Sequence, residues 1–239
     1  MRRKSFLAPT IFTILGMVLL LGLGTWQIER LHWKEALIAE LAAAVAAPPV
    51  ALPRTLAAAQ PLAYSHVYAT GIFLHEHELY LYATTESGTA GYHVITPFVL
   101  ADGATVLVDR GFVPAERKNA ATRNAGNAAD MREITGILRL PPDGKSSWFV
   151  PDNRPDRNEW FYVDLPAMAA AAKLGNALPF YLDADATPNP GGLPIGGQTS
   201  INLPNNHLQY AITWYALAGG LLVVYILLAR RRRGAGDDT

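Results

Sequence analysis

The residues best placed to do chemistry sit where this chain passes from apolar to polar sequence, once near each end. Near the N-terminus, Leu23-Gly24-Thr25-Trp26-Gln27-Ile28-Glu29-Arg30-Leu31-His32-Trp33-Lys34 leaves an uncharged run. On a continuous helix Gln27, Arg30 and Lys34 fall within about 60° of one another, with Trp26 and Trp33 on a neighbouring face. Such a cationic edge suits a ligand with two carboxylates. The same residue types also anchor a membrane span by snorkelling toward headgroups. Near the C-terminus the chain reads Asn205-Asn206-His207-Leu208-Gln209-Tyr210-Ala211-Ile212-Thr213-Trp214-Tyr215. At about 100° per residue, His207, Tyr210, Ala211, Trp214, Ala218, Leu221 and Tyr225 share one stripe. An imidazole above aromatic walls, with two alanines leaving a slot for a flat apolar body, is the chemistry of axial heme ligation. The structural alternative is a helix-start histidine bonded to its loop, with the alanines packing another helix.

Height along the two helices joins the clusters. His207 lies three residues outside the second apolar run, and Arg30 and Lys34 lie two and six outside the first. At about 1.5 Å per residue, one bound molecule can reach all three. In that reading His207 takes the iron, and Arg30, Lys34 and Gln27 line the propionate side. Trp26, Tyr210 and Trp214 form the slot walls. His32 stands at similar height and is the weaker candidate for a second axial ligand.

Two uncharged apolar stretches, Phe6–Ile28 and Tyr210–Ala229, must position these groups. Each is long enough for a helix across a hydrocarbon layer of about 30 Å, where a helix satisfies its own backbone. The expected organisation is a tail over 1–5, a transmembrane helix over 6–28, an outer domain over 29–209, a second transmembrane helix over 210–229 and a tail over 230–239. Arg2, Arg3 and Lys4 precede the first span, and Arg230, Arg231, Arg232 and Arg233 follow the second. The bias of such residues toward the cytoplasm places both termini inside and the domain outside. The first span ends in Trp26-Gln27-Ile28-Glu29-Arg30 without a small-residue cleavage site, so it reads as a retained anchor. With no Arg- and Ser-rich transit segment, a bacterial inner membrane and a periplasmic domain are favoured over the mitochondrial intermembrane space.

Net charge is +0, yet residues 29–209 hold 18 acidic and 13 basic residues, a net of −5. That balance argues against a nucleic-acid partner. The chain has no cysteine. Disulfides, c-type heme attachment, thiol redox chemistry and cysteine-based copper delivery are therefore excluded.

The fold expected is an α+β membrane protein with a mainly antiparallel β domain and minor helices. The first helix should run on through Trp33 to Ala47, where Pro48-Pro49 stops it. Residues 48–62 and 187–206, rich in Pro or Gly, read as extended tethers. Between them Tyr64–Phe73, Leu79–Thr84, Tyr92–Leu100, Thr105–Asp109, Arg132–Leu140 and Trp160–Val163 read as strands. His77-Glu78 and Asp102-Gly103 read as hairpin connections, and Val106-Leu107-Val108 as a central buried strand. A helix is expected over Leu165–Leu174, stopped by Gly175-Asn176, and residues 116–130 as a loop or marginal helix.

Other clusters are weaker. His75-Glu76-His77-Glu78 lacks the spacing of a zinc helix and reads as a solvated face. Arg110 could clamp a carboxylate, but an internal pair with Asp109 beside Gly111 is the plainer account. Trp148-Phe149 and Trp160-Phe161-Tyr162 are either core or a protein-binding surface. No serine stands in a G-x-S-x-G frame, and no phosphate loop is present.

These residues resemble the surfeit locus protein 1 family, assembly factors for heme–copper cytochrome c oxidase. The likeness runs through Gly24-Thr25-Trp26-Gln27 with Arg30 and Lys34; Pro61 and Tyr64 with Gly71-Ile72-Phe73; Gly91-Tyr92-His93 with Pro97-Phe98; and Val108-Asp109-Arg110-Gly111-Phe112-Val113-Pro114. It continues through Gly136-Ile137-Leu138-Arg139, Trp148-Phe149, Asn158 with Trp160-Phe161, and Asn206-His207-Leu208-Gln209-Tyr210-Ala211 with Thr213-Trp214. The resemblance implies a non-enzymatic helper that binds heme a transiently and aids its insertion into oxidase subunit I. The implied partners are that subunit, the heme a synthase and the lipid bilayer. The histidine opening the second span, here His207, is the implied ligand. A cofactor-free scaffold and a membrane-anchored hydrolase are the alternatives.

Overall fold

The computed structural model describes residues 7–85, 87–127, 130–145, 147–198 and 204–237. Arg2, Arg3, Lys4 and Phe6 lie outside them, as do residues 128–129 and 199–203 of the two loop segments and Asp238. The chain divides into two compact units: the pair of long helices, and the domain between them.

Helix α1 (Leu7–Ala46) runs unbroken for 40 residues. Its proline, Pro9, falls in the first turn, where a missing N–H costs nothing, and Pro48-Pro49 follows its end. Helix α4 (His207–Asp237) returns antiparallel, starting three residues before the expected span. Both are long and apolar enough to cross a membrane. Their packing follows a heptad-like rhythm: Thr10, Thr13, Met17, Leu20, Gly24, Gln27 and Leu31 on α1 are shielded, as are His207, Ala211, Trp214, Ala218, Leu221 and Tyr225 on α4. Alternating steps of three and four place each set on one seam. Small residues let the backbones approach: a Cβ on Gly24 would lie 2.7 Å from the Tyr215 ring. Thr10 and Tyr225 join hydroxyls at 3.0 Å, and Thr25 and Tyr215 at 3.2 Å. Leu15, Val18, Val223 and Val224 point outward, each more than half exposed.

The domain is built on seven strands: β1 (Val50–Ala51), β2 (His66–Phe73), β3 (Leu79–Thr84), β4 (Ala90–Leu100), β5 (Thr105–Pro114), β6 (Arg132–Arg139) and β7 (Ala177–Ala184). Their order is β1-β2-β6-β7-β5-β4-β3, and β2 also pairs with β4, closing a five-stranded barrel. Closure runs from Gly71 opposite Leu100 to Phe73 opposite Phe98. A Cβ on Gly71 would meet the Val99 carbonyl at 2.2 Å, so only glycine permits the joint. Pairing is antiparallel except β1–β2 and β5–β7. Val106, Val108, Phe98, Leu138, Phe180 and Leu182 fill the barrel. Leu107 points the other way, into a second cluster with Trp160, Met168 and Tyr181 beneath α3 (Leu165–Ala171). Because β5 buries both faces, its Val106-Leu107-Val108 stretch is apolar without alternation.

Several expectations need correction. β7 was not anticipated, because Pro179 and Asp183 break its pattern; a register shift against β5 absorbs the proline. His77-Glu78 does not turn a hairpin: β2 and β3 are not paired, and a 3-10 turn over His75–His77 carries the chain between them. Residues 160–163 form no strand; Trp160 instead bridges β3, accepting from Tyr82 N at 2.7 Å and donating to Tyr80 O at 3.2 Å. The segment 48–62 is no bare tether, since it supplies β1 and the short helix α2 (Leu56–Ala59) and buries Leu52 and Ala59. Likewise Ile195 exchanges both backbone hydrogen bonds with Phe112, tying the segment after β7 onto β5. Residues 115–126 form two 3-10 turns.

Candidate functional site

Within the helix pair, His207 Nδ1 lies 2.7 Å from Gln27 Oε1. The amide oxygen can only accept, so the proton of this bond sits on Nδ1, and in the neutral ring the lone pair is then on Nε2. No described group bonds Nε2. An imidazole pinned through Nδ1–H with Nε2 open has the tautomer and orientation that a metal-ligating histidine requires. Gln27, expected beside a propionate, is instead buried at 9% exposure and turned onto the ring. That role was invisible in sequence because it depends on which α1 residue faces the first turn of α4.

The other expected residues divide between seam and flank. Trp26, Arg30 and Trp33 project to one flank of α1, and the antiparallel run of α4 brings Tyr210 to that same flank. Trp26 is 49% and Tyr210 55% exposed. The Arg30 guanidinium lies 4.4 Å from the centre of the Trp33 ring, a cation–π contact. Trp214 is half-buried in the seam, and Lys34 half-buried one turn beyond Arg30. His32 is exposed. The pair thus presents an open imidazole nitrogen, two aromatic side chains and a guanidinium. Groups of these types are those a flat apolar ligand with anionic edges would call on.

Polar groups in the β domain follow a different plan. Asp109 and Arg110 do not pair, because adjacent strand residues face opposite sides. Asp109 receives Gly111 N at 2.8 Å and meets His93 Nδ1 at 2.7 Å. These groups line a cleft of about 320 Å³ with Tyr181, Asp183 and Arg139, and Arg139 bonds Asp183 at 3.1 Å. Burial alone would lower His93, but the bond and charge of Asp109, aided by Asp183, hold it above its ordinary 6.5. Arg110 turns inward. It shares Glu78 with Arg123, and all three are buried. Burial opposes ionisation of Glu78, yet the bonds from His75 and Arg123 and both guanidinium charges hold it below the ordinary 4.5. His75 and Glu78 therefore belong to an internal network and not to a solvated face. The aromatic patch divides too: Trp160 is core at 0% exposure, whereas Trp148 at 92% and Phe149 at 72% stand in solvent with rings 6.0 Å apart.

Comparison with known proteins bears on the whole of this arrangement. A family model described as the SURF1 family matches residues 14–219, from within α1 to within α4. The chain is similar to Surfeit locus protein 1 of Mus musculus, 43% identical over 211 residues that cover 82% of this chain and 67% of the relative. It is 41% identical to Surfeit locus protein 1 of Homo sapiens over 82% of this chain and 69% of the relative. A SURF1-like protein of Monosiga brevicollis is 42% identical over 90% of this chain and 85% of the relative.

Proposed function

The chain belongs to the SURF1 family, and from that premise we propose that it is an assembly factor for heme–copper cytochrome c oxidase. It holds heme a at the helix pair and aids its insertion into subunit I, working as a carrier and not as an enzyme. The cargo supplies an iron that accepts one imidazole nitrogen. The observation that carries the reading is the His207–Gln27 contact of 2.7 Å. Gln27 fixes the ring, leaving Nε2 as the open donor, and Arg30 on the Trp26–Tyr210 flank provides a cation for a propionate. A single imidazole ligand beside an exposed flank binds loosely enough to release its cargo. The heme a synthase would deliver it and subunit I would receive it.

The proposed setting is the bacterial inner membrane, spanned by α1 and α4, with both termini cytoplasmic and the β domain periplasmic. The arginines Arg230–Arg232 on the last turns of α4 favour that orientation. The test is an absorbance spectrum of the full chain purified from a heme a-producing host. Wild type should show a reduced α-band that His207→Ala lacks. Equal spectra would remove His207 as the ligand.

A second reading, a cofactor-free scaffold, is favoured by the exposed Trp148–Phe149 pair, since aromatics left in solvent mark interaction surfaces. In that case Trp148→Ser would reduce oxidase assembly and His207→Ala would leave it intact.

A further inference from the structure

The β domain buries two guanidiniums against one carboxylate. Arg110 is 1% and Arg123 4% exposed, and Glu78 between them is 5% exposed. Arg123 takes both oxygens of Glu78, with Nη1 at 3.1 Å from Oε1. Arg110 reaches Oε1 only at 3.5 Å, and its other acceptors are neutral amide oxygens: Gly126 O, Asn189 Oδ1 at 3.0 Å and Asn127 Oδ1 at 3.5 Å. Its Nε is buried and has no acceptor among the described residues. A buried charge is normally paired, and a buried donor normally bonded, because either left alone forfeits its hydration.

Beside this guanidinium lies a cavity of about 170 Å³, lined by Phe73, Arg110, Arg132, Thr135, Thr187 and Asn189 among others. At roughly 30 Å³ per water, it has room for about five waters or one short acid, and none for a nucleotide. Burial, only partly offset by Glu78 and reinforced by Arg123 and Arg132, brings Arg110 down to about 10, so the site remains positive at neutral pH.

We infer that this cavity is a binding site for a single carboxylate, which completes the bonding of Arg110 and neutralises the unmatched guanidinium charge. One unmatched charge calls for a monoanion. Glu133 and Asp185 also border the cavity and repel a dianion such as phosphate about twice as strongly as a monoanion. The carboxylate comes either as a free short-chain acid or on an acidic side chain of a partner polypeptide. The site is independent of heme binding.

The experiment is thermal unfolding of the full chain in detergent micelles, titrated with sodium acetate at constant ionic strength against chloride. Wild type should show a saturating rise in midpoint. Thr187→Phe, at an exposed position on the cavity wall, should fill the space, keep the wild-type midpoint in chloride and lose the acetate response. Arg110→Lys, where it folds, should need at least tenfold more acetate for half its effect. A blocked glutamate dipeptide that saturates at lower concentration than acetate identifies the polypeptide source, and the reverse order identifies the free acid. A saturating rise that persists in Thr187→Phe, or phosphate acting below the acetate concentration, overturns the assignment.

Discussion

The helix pair and the barrel both hold polar side chains away from water, and they do so with opposite outcomes. In the barrel, Glu78 is met by two guanidiniums and further donors, so its bonding capacity is used inside the fold. In the helix pair, His207 has one hydrogen-bond partner among the described residues, and it holds Nδ1 while leaving the second ring nitrogen open. Shielded polarity therefore takes two forms: a group whose neighbours consume its bonding capacity braces the structure, whereas one held by a single neighbour keeps capacity to spare.

Glu78→Gln tests the bracing half most severely. Removing one member of a buried ion pair leaves its partner uncompensated, at a cost of about 3–5 kcal/mol. Chemical denaturation of the domain should show that loss. The lowered folded pKa of Glu78 adds a pH signature: its stabilisation is present above the ordinary 4.5 and disappears as pH falls through the folded value. Wild type should therefore lose stability on acidification where Glu78→Gln does not. Unchanged stability in the variant would mean that the network is ornamental.

Gly24→Leu attacks the other region at its closest approach, with a cost of about 1–3 kcal/mol for overpacking. Cross-linking between cysteines introduced at positions 10 and 225 should fall, while denaturation of the barrel stays as it was. Gln27→Ala should be subtler. One hydrogen bond of about 1 kcal/mol is lost. Heme affinity should drop by about 10- to 100-fold, as for other residues that orient a metal ligand. Equal affinity would show that the imidazole is held by something else. The smallest effect is expected from His93→Gln in the cleft. Because the folded pKa of His93 is raised, its contribution is full below the ordinary 6.5 and vanishes as pH climbs through the folded value. The variant should be less stable than wild type in mildly acidic buffer and match it in alkaline buffer.

What the sequence disclosed follows the same division. Features set by local periodicity were legible. β3 begins and ends as expected at Leu79 and Thr84, and Val106-Leu107-Val108 is buried on both sides. His207 stood out because it opens an apolar helix. Pairings between distant residues were not legible. Arg123 and Glu78 lie 45 positions apart, and nothing along the chain marks them as partners. Arg110 was assigned to its neighbour Asp109, although strand geometry sends the two apart. Gln27 was read as facing a ligand carboxylate, and only three-dimensional register shows that it faces His207 across the seam. The proline- and glycine-rich segments were read by composition as tethers. A few apolar residues, Leu52, Ala59 and Ile195, were enough to fix them to the barrel.

The bond pattern between Trp160 and β3 limits how an extended peptide could dock there. Tyr80 and Tyr82 already give their outward main-chain groups to residues 158–160, with Asn158 Oδ1 receiving Tyr80 N at 3.3 Å. An extended peptide therefore cannot lengthen the sheet along β3 without first displacing a buried indole. Backbone zippering, the least discriminating way to capture a strand, is closed there. Anything that docked at that rim would have to be gripped by side chains, which can tell one sequence from another.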